Sequence, residues 1–332
     1  MQRRSYLKGV GAATIPATFG LAGCLDDAAD DDDDFPSQSL TWIVPFGEGG
    51  GTDTYARQIQ GPMQEALGES VEIDNQPGAG GLNGAQALHG ANPDGYTIGS
   101  VNLPSVVTSW LVQEPDFDML EVEGVGSIGR YPFMLIVNPA YDHITNLDEL
   151  VDAYEDGEFT QFAMQGIGHS THAIALLLRD EFGMAWEDIV PYDGGGPTNE
   201  AVATDEVSVG IATATSALGP SEAGDINVVA NLSSSETPVF PDVSPATELG
   251  YPNIDFVSET VLAKFAPPET DRDNIDTISA AMESAVNSDS VQEWSDETGN
   301  AVAYNDPDET SDLLEESIES IRDSVDLEQL RQ

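Results

Sequence analysis

The chain has 332 residues, of which 40% are hydrophobic, enough for a sizeable core in one large domain or two medium ones. Ten Lys and Arg residues stand against sixty Asp and Glu residues, a formal net charge of −50. This balance excludes nucleic-acid binding, which needs a basic surface, and it indicates the salt-adapted surface of a protein from a halophilic archaeon.

Residues 1–23 have the pattern of a twin-arginine export signal. Arg3 and Arg4 precede an apolar stretch that is too short to span a bilayer. The segment ends in Leu-Ala-Gly-Cys24, a lipobox in which the cysteine is lipidated after cleavage. Cys24 is the only cysteine, so no intrachain disulfide can form. The alternative for Cys24 is a buried, reduced side chain.

Residues 24–37 predict an extended tether, because positions 26–34 are only Asp and Ala and repel one another. Signal cleavage would leave seven basic residues against sixty acidic ones, a formal charge of −53. We therefore expect an exported protein on the outer face of the cell membrane, anchored by lipid on Cys24.

Strands and helices alternate along the first part of the folded body. The patterns predict strands at Leu40–Phe46, Val71–Asn75, Tyr96–Val101, Gly126–Gly129 and Phe133–Val137, and helices at Thr54–Leu67, Leu82–Gly90 and from Asn146 onwards, the last capped by Thr145 or Asn146. Such alternation predicts parallel strands, with ligand-binding loops at their carboxyl ends.

The second part repeats this arrangement and predicts a second α/β lobe. Its expected strands are Phe159–Met164, Ile189–Tyr192, Val207–Ala212 and Ile226–Ala230, and its expected helices are Ser170–Phe182 and Thr198–Ala203. Two long helices, Asp273–Asn287 and Asp308–Ser324, end the chain and are expected to return to the first lobe.

Three glycine-rich loops each follow a strand and precede a helix: residues 47–53, 75–84 and 166–172. Glycines let the backbone approach a ligand closely, and the free N–H groups and dipole of a helix N-terminus favour negative charge. We therefore predict that the three loops converge on one small anionic ligand. Thr52 and Asp53 are the expected N-caps of the first helix.

Six segments in one order carry a resemblance to a known family. They are Ile43-Val-Pro-Phe with Gly-Gly-x-x-Asp53, Gln76-Pro-Gly-Ala-Gly-Gly81, Pro93-Asp-Gly-Tyr-Thr97, Gly166-x-Gly-x-x-x-His172, Val190-Pro-Tyr-Asp-Gly-Gly195, and Phe240-Pro-Asp-Val-Ser-Pro245 with Glu248-Leu-Gly-Tyr-Pro252. Over roughly residues 38–325 the chain resembles the substrate-binding proteins of tripartite tricarboxylate transporters, also called Bug-type solute receptors. It departs from them at Asp205-Glu206, where a Gly-Gln or Gly-Lys pair is common, and at residues 233–237, where a basic residue is missing.

The resemblance implies a type II periplasmic-binding-protein fold, an α/β architecture of two lobes that close over a ligand. Lobe 1 would comprise residues 38–138 and 256–332, and lobe 2 residues 139–255. It also implies a small carboxylate ligand (a di- or tricarboxylate, an acidic amino acid or an aromatic acid), with large and small membrane permease subunits as partners. We expect no cofactor, no nucleic acid and a monomer.

The predicted ligand-binding residues lie in the glycine loops and at the edge of the cleft. They are Phe46, Gly47, Gly49, Gly50, Gly51, Thr52, Asp53, Gly78, Ala79, Gly80, Gly81, Ser105, Gly166, Gly168, His169, Ser170, His172, Tyr192, Gly194 and Gly195.

Several of these residues have a plainer interpretation. Asp53 is equally suited to capping its helix, and His172 to packing with a hydrogen bond. Glu48 is expected to point outward, since it would repel an anion, and Trp42 to lie in the core. His169 and His172 lack a third ligand for a metal, so no metal site is predicted. Arg130 is the one arginine to test as a carboxylate clamp.

Two other functions compete with the solute receptor. An enzyme is disfavoured because the chain lacks a Gly-x-Ser-x-Gly elbow, a catalytic cysteine and an HExxH motif. A receptor that signals to a membrane kinase would use the same lobes, and the sequence does not separate it from a transport receptor.

Overall fold

Ten strands form one curled, mixed sheet in the computed structural model, which describes residues 35–331. The signal segment, Cys24 and most of the predicted tether lie outside the described residues. The strands are β1 (Leu40–Val44), β2 (Val71–Asn75), β3 (Thr97–Leu103), β4 (Glu123–Val137), β5 (Gln161–Met164), β6 (Asp188–Pro191), β7 (Val209–Thr213), β8 (Asn227–Asn231), β9 (Glu259–Ala266) and β10 (Val302–Asn305).

The strand order is β2-β1-β3-β9-β4-β7-β5-β6, with β8 and β10 also paired to β4. The predicted parallel pairing is confirmed at both ends of the sheet, where β1 lies parallel to β2 and β3, and β5 to β6 and β7. It is wrong in the middle, where every pair formed by β4 or β9 is antiparallel. The reason is that β9 returns between β3 and β4 after the chain has built the other half of the sheet.

The long strand β4 joins the two halves of the sheet. Two separate strands were expected here, but the structure has one strand of fifteen residues. Its first part, up to Pro132, pairs with β9 and β10, and its second part, from Phe133, pairs with β7 and β8. Shifts in register beside Gly126 and between Ser127 and Arg130 let the strand bend without ending. We refer to the half built on β1, β2, β3 and β9 as the first lobe, and to the half built on β5, β6, β7 and β8 as the second.

Helices cover both faces of the sheet. They are α1 (Gly51–Leu67), α2 (Leu82–His89), α3 (Ser105–Gln113), α4 (Leu147–Glu155), α5 (Ser170–Asp180), α6 (Gly195–Ala203), α7 (Ala214–Ala223), α8 (Asp255–Ser258), α9 (Arg272–Val286), α10 (Asp289–Thr298), α11 (Pro307–Ser324) and α12 (Leu327–Leu330). Among the helices of residues 35–331, none combines the length and the apolar composition needed to cross a bilayer.

The first helix begins three residues earlier than predicted, at Gly51, because Gly50 is its N-cap in an extended conformation. Thr52 and Asp53 therefore lie in the first turn of α1, and the prediction that they cap it is wrong. The prediction for α4 is confirmed, since Asn146 is its N-cap and accepts a hydrogen bond from the Glu149 N–H.

Each lobe has its own buried core. In the first lobe, α1 and α9 pack against one face of the sheet around Trp42, which is fully buried as predicted, while α2, α3 and α11 cover the other face. The long terminal helices α9 and α11 thus pack on the first lobe, as expected. The second lobe is built around β5, β7, α4 and α5, with Phe162 and Leu178 fully buried.

Candidate functional site

The loop between β1 and α1 is held in shape by Asp53. Its carboxylate accepts hydrogen bonds from the Gly49 N–H at 2.9 Å, from Arg57 Nε at 2.9 Å and from Asn75 Nδ2 at 3.0 Å. Burial by itself would raise the pKa of Asp53, but these hydrogen bonds and the charge of Arg57 outweigh burial and lower it. Asp53 therefore stays ionised and organises the loop, while the Glu48 side chain is 80% exposed and points away from it, as expected.

The second loop, after β2, has four consecutive residues in the left-handed region, Gly78 to Gly81, including Ala79 at φ +50°. Helix α3 holds this loop in place: Ser109 Oγ donates to the Gly80 carbonyl at 2.9 Å, and Gln113 Nε2 donates to the Ala79 carbonyl at 3.1 Å. A Cβ atom on Gly80 would lie only 2.2 Å from Ser109 Oγ, so a glycine is required there.

The third loop leads from β5 into α5, and His169 is the N-cap of that helix. Its Nδ1 atom accepts a hydrogen bond from the Thr171 N–H at 3.2 Å. Burial lowers the pKa of His169 to about 3, so the imidazole is neutral. His172 is buried too, and its Nδ1 atom accepts from the Gly168 N–H at 3.2 Å. His172 is therefore packed and hydrogen-bonded within the protein, which agrees with the plainer of its two interpretations.

Two further helix N-termini in the second lobe complete the cluster. Gly194, at φ +117°, is the N-cap of α6, and Thr213 caps α7 by accepting from the Ser216 N–H at 3.1 Å. Thr213 and Ser216 were not predicted as site residues. Their Thr-x-x-Ser spacing at the start of a helix was the signal that could have found them.

These loops meet one another across the two lobes. A Cβ atom placed on Gly50 would lie 3.9 Å from the Gly195 N atom, and one placed on Gly51 would lie 2.7 Å from Thr213 Oγ1. On the other side, Ser105 Oγ lies 2.9 Å from Ser170 Oγ.

The second and third loops also touch, since a Cβ atom on Gly166 would lie 3.7 Å from the Gly80 Cα. The N-termini of α1, α6 and α7 therefore meet, and the third loop, which leads into α5, meets the second loop.

The cluster is rich in hydrogen-bond donors but holds no cation. No Lys or Arg side chain of residues 35–331 is among the groups that these contacts bring together. Arg57 is tied to Asp53, and Arg130 lies at the junction of the lobes, 3.3 Å from Glu259. Arg130 is therefore placed away from the loops and paired with a carboxylate.

A groove of about 560 Å³ runs along the edge of the loop cluster. Tyr192 lies on its rim, where its hydroxyl donates to Glu206 at 3.1 Å, so this predicted residue stands at the edge of the cluster rather than inside it. Arg331 closes one side of the groove, and its guanidinium is bound to Glu114 and Glu328, each at 2.6 Å.

Thr52 and Phe46 occupy different positions relative to the loops. Thr52 is buried, and its Oγ1 atom forms hydrogen bonds with Asn102 and with the Tyr131 hydroxyl. It therefore links α1 to β3 and β4. The Phe46 ring packs edge-on against His169, with 5.7 Å between the ring centroids. Phe46 thus brings the first loop into contact with the third.

Comparisons with known proteins give a consistent result. The family described as "Tripartite tricarboxylate transporter family receptor" matches residues 55–326. BugT of Bordetella pertussis is 30% identical over 308 residues, which cover 91% of each protein.

Among solved structures, MatC from Rhodopseudomonas palustris with bound malate is 26% identical with a TM-score of 0.77, covering 90% of this chain and 100% of MatC. Another R. palustris protein, solved with adipate, is 23% identical with a TM-score of 0.80, covering 90% of this chain and 98% of that one. The α/β fold is therefore that of periplasmic solute-binding proteins, as predicted.

Proposed function

The chain belongs to the tripartite tricarboxylate transporter receptor family, and on that premise we propose that it is an extracytoplasmic solute receptor. It binds a small carboxylate between its two lobes and delivers it to a membrane permease of the same transporter class. Residues 38–138 with 256–332 form one lobe and residues 139–255 the other, and closure of the lobes presents the loaded receptor to the permease.

One observation supports this proposal most strongly, the meeting of the α1, α6 and α7 N-termini across the two lobes. Free N–H groups and helix dipoles favour a negatively charged group at such a point, without a basic side chain. Local main-chain donors are a sufficient means of attraction.

The ligands named for two relatives agree with the proposed class. MatC was solved with malate, and the second R. palustris protein with adipate. Both ligands are dicarboxylates. The glycine loops and helix N-termini of this chain favour a negatively charged group, so we propose a small carboxylate as the ligand of this receptor as well.

We further propose that a lipid on Cys24 anchors the protein to the outer face of the membrane of a halophile and that the receptor is a monomer. The twin-arginine and lipobox patterns support the anchor, and the excess of acidic residues supports the source. Cys24→Ser should release the exported protein into the medium. Retention of the variant on membranes in the same amount as wild type would contradict the lipid anchor.

A panel of ligands followed by thermal unfolding tests the receptor function. Citrate, succinate, malate, glutamate, aspartate and benzoate would be added to the purified chain in about 3 M KCl, with sugars and NAD as controls. A ligand at about 100 times its Kd stabilises the folded state by about 2.7 kcal/mol, which raises the melting temperature measurably. Stabilisation by a sugar or by NAD, with no response to any acid, would contradict the proposal.

A further inference from the structure

Two buried nitrogen atoms in the loop cluster have no hydrogen-bond partner among residues 35–331. They are the side-chain Nε2 atoms of Gln165 and His169, both shielded from solvent. A buried polar group that is left unpaired destabilises the fold, and native proteins seldom leave such groups unpaired without a functional reason. Both residues flank the loop from β5 into α5, so their positions point to a ligand group that pairs with them.

The hydrogen-bond network around His169 defines Nε2 as a donor. The Gln165 main-chain N–H donates to Thr171 Oγ1 at 3.0 Å, and that hydroxyl in turn lies 3.0 Å from His169 Nδ1. The Thr171 N–H donates to the same Nδ1 atom. Because Nδ1 acts as an acceptor in this network, the proton of the neutral ring is on Nε2. The Nε2–H group of His169 can therefore donate a hydrogen bond to an acceptor on a ligand.

The Gln165 amide lies where helix N-termini from the two lobes meet. Its Nε2 atom is 3.6 Å from the position that a Cβ atom on Gly195 would take, and Gly195 in turn approaches Gly50 of the other lobe. The His169 ring lies against Phe46, and the Cβ atom of His169 lies 3.7 Å from the position that a Cβ atom on Gly80 would take. The two free donors thus belong to the surface on which the lobes close.

We infer that Gln165 and His169 form the subsite for the second carboxylate of a dicarboxylate ligand that carries no amino group. This inference rests on the proposed receptor function. The first carboxylate binds to main-chain N–H groups of the glycine loops, and the second accepts hydrogen bonds from these two uncharged side chains.

An amino group on the ligand would find little to bind at this subsite. A buried ammonium needs several acceptors or a carboxylate partner. The subsite offers two donors, and the acceptor Asn199 Oδ1, one turn into α6, is a single neutral oxygen. Asp53 is already bound to three donors, and the Asp193 and Glu48 side chains are exposed. With no free, buried carboxylate among these groups, we expect acidic amino acids to bind more weakly than dicarboxylates of the same length.

Isothermal titration calorimetry on the purified chain tests the inference with two sets of length-matched acids. The first set is succinate, butyrate and aspartate, and the second is adipate, hexanoate and 2-aminoadipate. The dicarboxylate of at least one set should bind about 10-fold or more tightly than both of its analogues, since a hydrogen bond to a charged group has that effect. Tighter binding of the amino acid in both sets would overturn the inference.

Variants of the two side chains separate this subsite from the rest of the cleft. Gln165→Glu replaces a donor with a negative charge, and His169→Asn keeps an N-cap acceptor for α5 but removes the Nε2 donor. Both should weaken dicarboxylate binding about 10-fold or more and change monocarboxylate binding less than about 3-fold. The control is Gln161→Glu, the same change at an exposed position on β5, which should leave all affinities unchanged.

The possible failures are distinct. If wild type binds no acid at all, the receptor function itself is wrong. If wild type binds acids while both variants, folded by their unfolding curves, keep the full preference for the dicarboxylate, only the subsite is wrong.

Discussion

Lys264 is fully buried in β9 without a carboxylate partner. Its Nζ atom donates to the Leu262 carbonyl at 3.0 Å and lies 5.4 Å from the centre of the Trp42 ring. Within residues 35–331, no acidic oxygen lies within 4 Å of it. Burial lowers the pKa of Lys264 well below its ordinary value, so the amine must lose its proton or its solvation to enter the core.

Replacing this lysine with a methionine should therefore stabilise the protein. Below a pH of about 10.4 the unfolded chain binds a proton at residue 264 that the folded chain holds poorly, so wild-type stability rises with pH up to that value. Lys264→Met removes this slope and should raise the free energy of unfolding by about 1–4 kcal/mol near neutral pH. Chemical denaturation at about pH 7 and pH 9.5 measures both effects. A variant that is less stable than wild type at both pH values would contradict the account.

The contacts of Asp53 show that it organises the loop that precedes α1. Asp53→Asn leaves one of its three donors without an acceptor and should cost about 1–3 kcal/mol of stability near neutral pH. Because the folded-state pKa is lowered, the carboxylate stabilises the fold above its ordinary pKa of about 3.9 and loses that effect as the pH falls through the folded value.

The difference between wild type and Asp53→Asn should therefore shrink in acid, as measured by denaturation at a series of pH values. Glu48→Gln is the matched control, since the Glu48 pair with Arg57 is exposed and 3.7 Å long. It should change stability by less than about 0.5 kcal/mol. An equal loss in both variants would mean that Asp53 acts only as a surface charge.

Helix α1 shows how the same residue type has different roles at two positions. Gly51, at its first turn, faces Thr213 of the second lobe and the Tyr131 ring of β4, and a Cβ atom there would lie 2.7 Å from Thr213 Oγ1. For Gly61, in the middle of the helix, no described atom other than those of its chain neighbours and its own helix backbone lies within 4 Å of the place where its Cβ would be. Only the first glycine is required by a neighbour.

The two alanine substitutions should accordingly differ in their effect on ligand binding. Gly61→Ala precedes Pro62, which opposes the gain in helix propensity, so it should change stability by less than about 1 kcal/mol and leave ligand binding intact. Gly51→Ala should force the lobes apart and reduce carboxylate affinity about 10-fold or more, a loss typical of a strained contact. Calorimetric titration of both variants checks this, and equal affinities would show that the contact between α1 and Thr213 does not matter for binding.

Much of this fold was predictable because its elements obey local rules. β2 was predicted to the residue, and α4, α5 and the terminal helices to within a few positions, since their apolar spacing and capping residues are local signals. The helix α3 was missed because Val106, Val107 and Thr108 favour strands, whereas packing against α2, α5 and α11 makes the segment helical. β9 was missed because Lys264 interrupts its apolar pattern.

The site was predictable in its glycines but not in its side chains. Glycine loops between strands and helices are visible in the sequence, and the structure brings them together. Gln165 could not be singled out, because a polar residue at a strand end has no evident role until the fold shows which groups it faces. Thr213 and Ser216 had a local signal, the helix-capping spacing, but that spacing does not show that they face the first lobe. The lobe junction in β4 likewise depends on pairing with strands that are far away in the chain.

The net negative charge of the whole molecule produces an electrostatic field that repels the proposed anionic ligand. In dilute buffer a net charge of −50 repels anions over long distances. At about 1 M salt the Debye length is about 3 Å, so the distant carboxylates are screened while hydrogen bonds inside the cleft are not. The high acidic content is therefore compatible with carboxylate binding in brine.

Ligand affinity should consequently hold or increase as salt is added. Calorimetric titrations of the bound acid between about 0.2 M and 3 M KCl would measure this, with circular dichroism to establish that the protein stays folded throughout. Affinity that climbs steadily as salt is withdrawn from the folded protein would contradict the role given to local donors.

Equilibrium dialysis of radiolabelled dicarboxylates, succinate and adipate, tests the central claim most directly. The purified chain and its Gly51→Ala and Gly61→Ala variants would be dialysed in about 3 M KCl. We predict saturable binding of at least one of them, one molecule per chain, in wild type and in Gly61→Ala, and strongly reduced binding in Gly51→Ala. No saturable binding of either acid to folded wild type, or equal binding by all three proteins, would contradict a carboxylate site between the lobes.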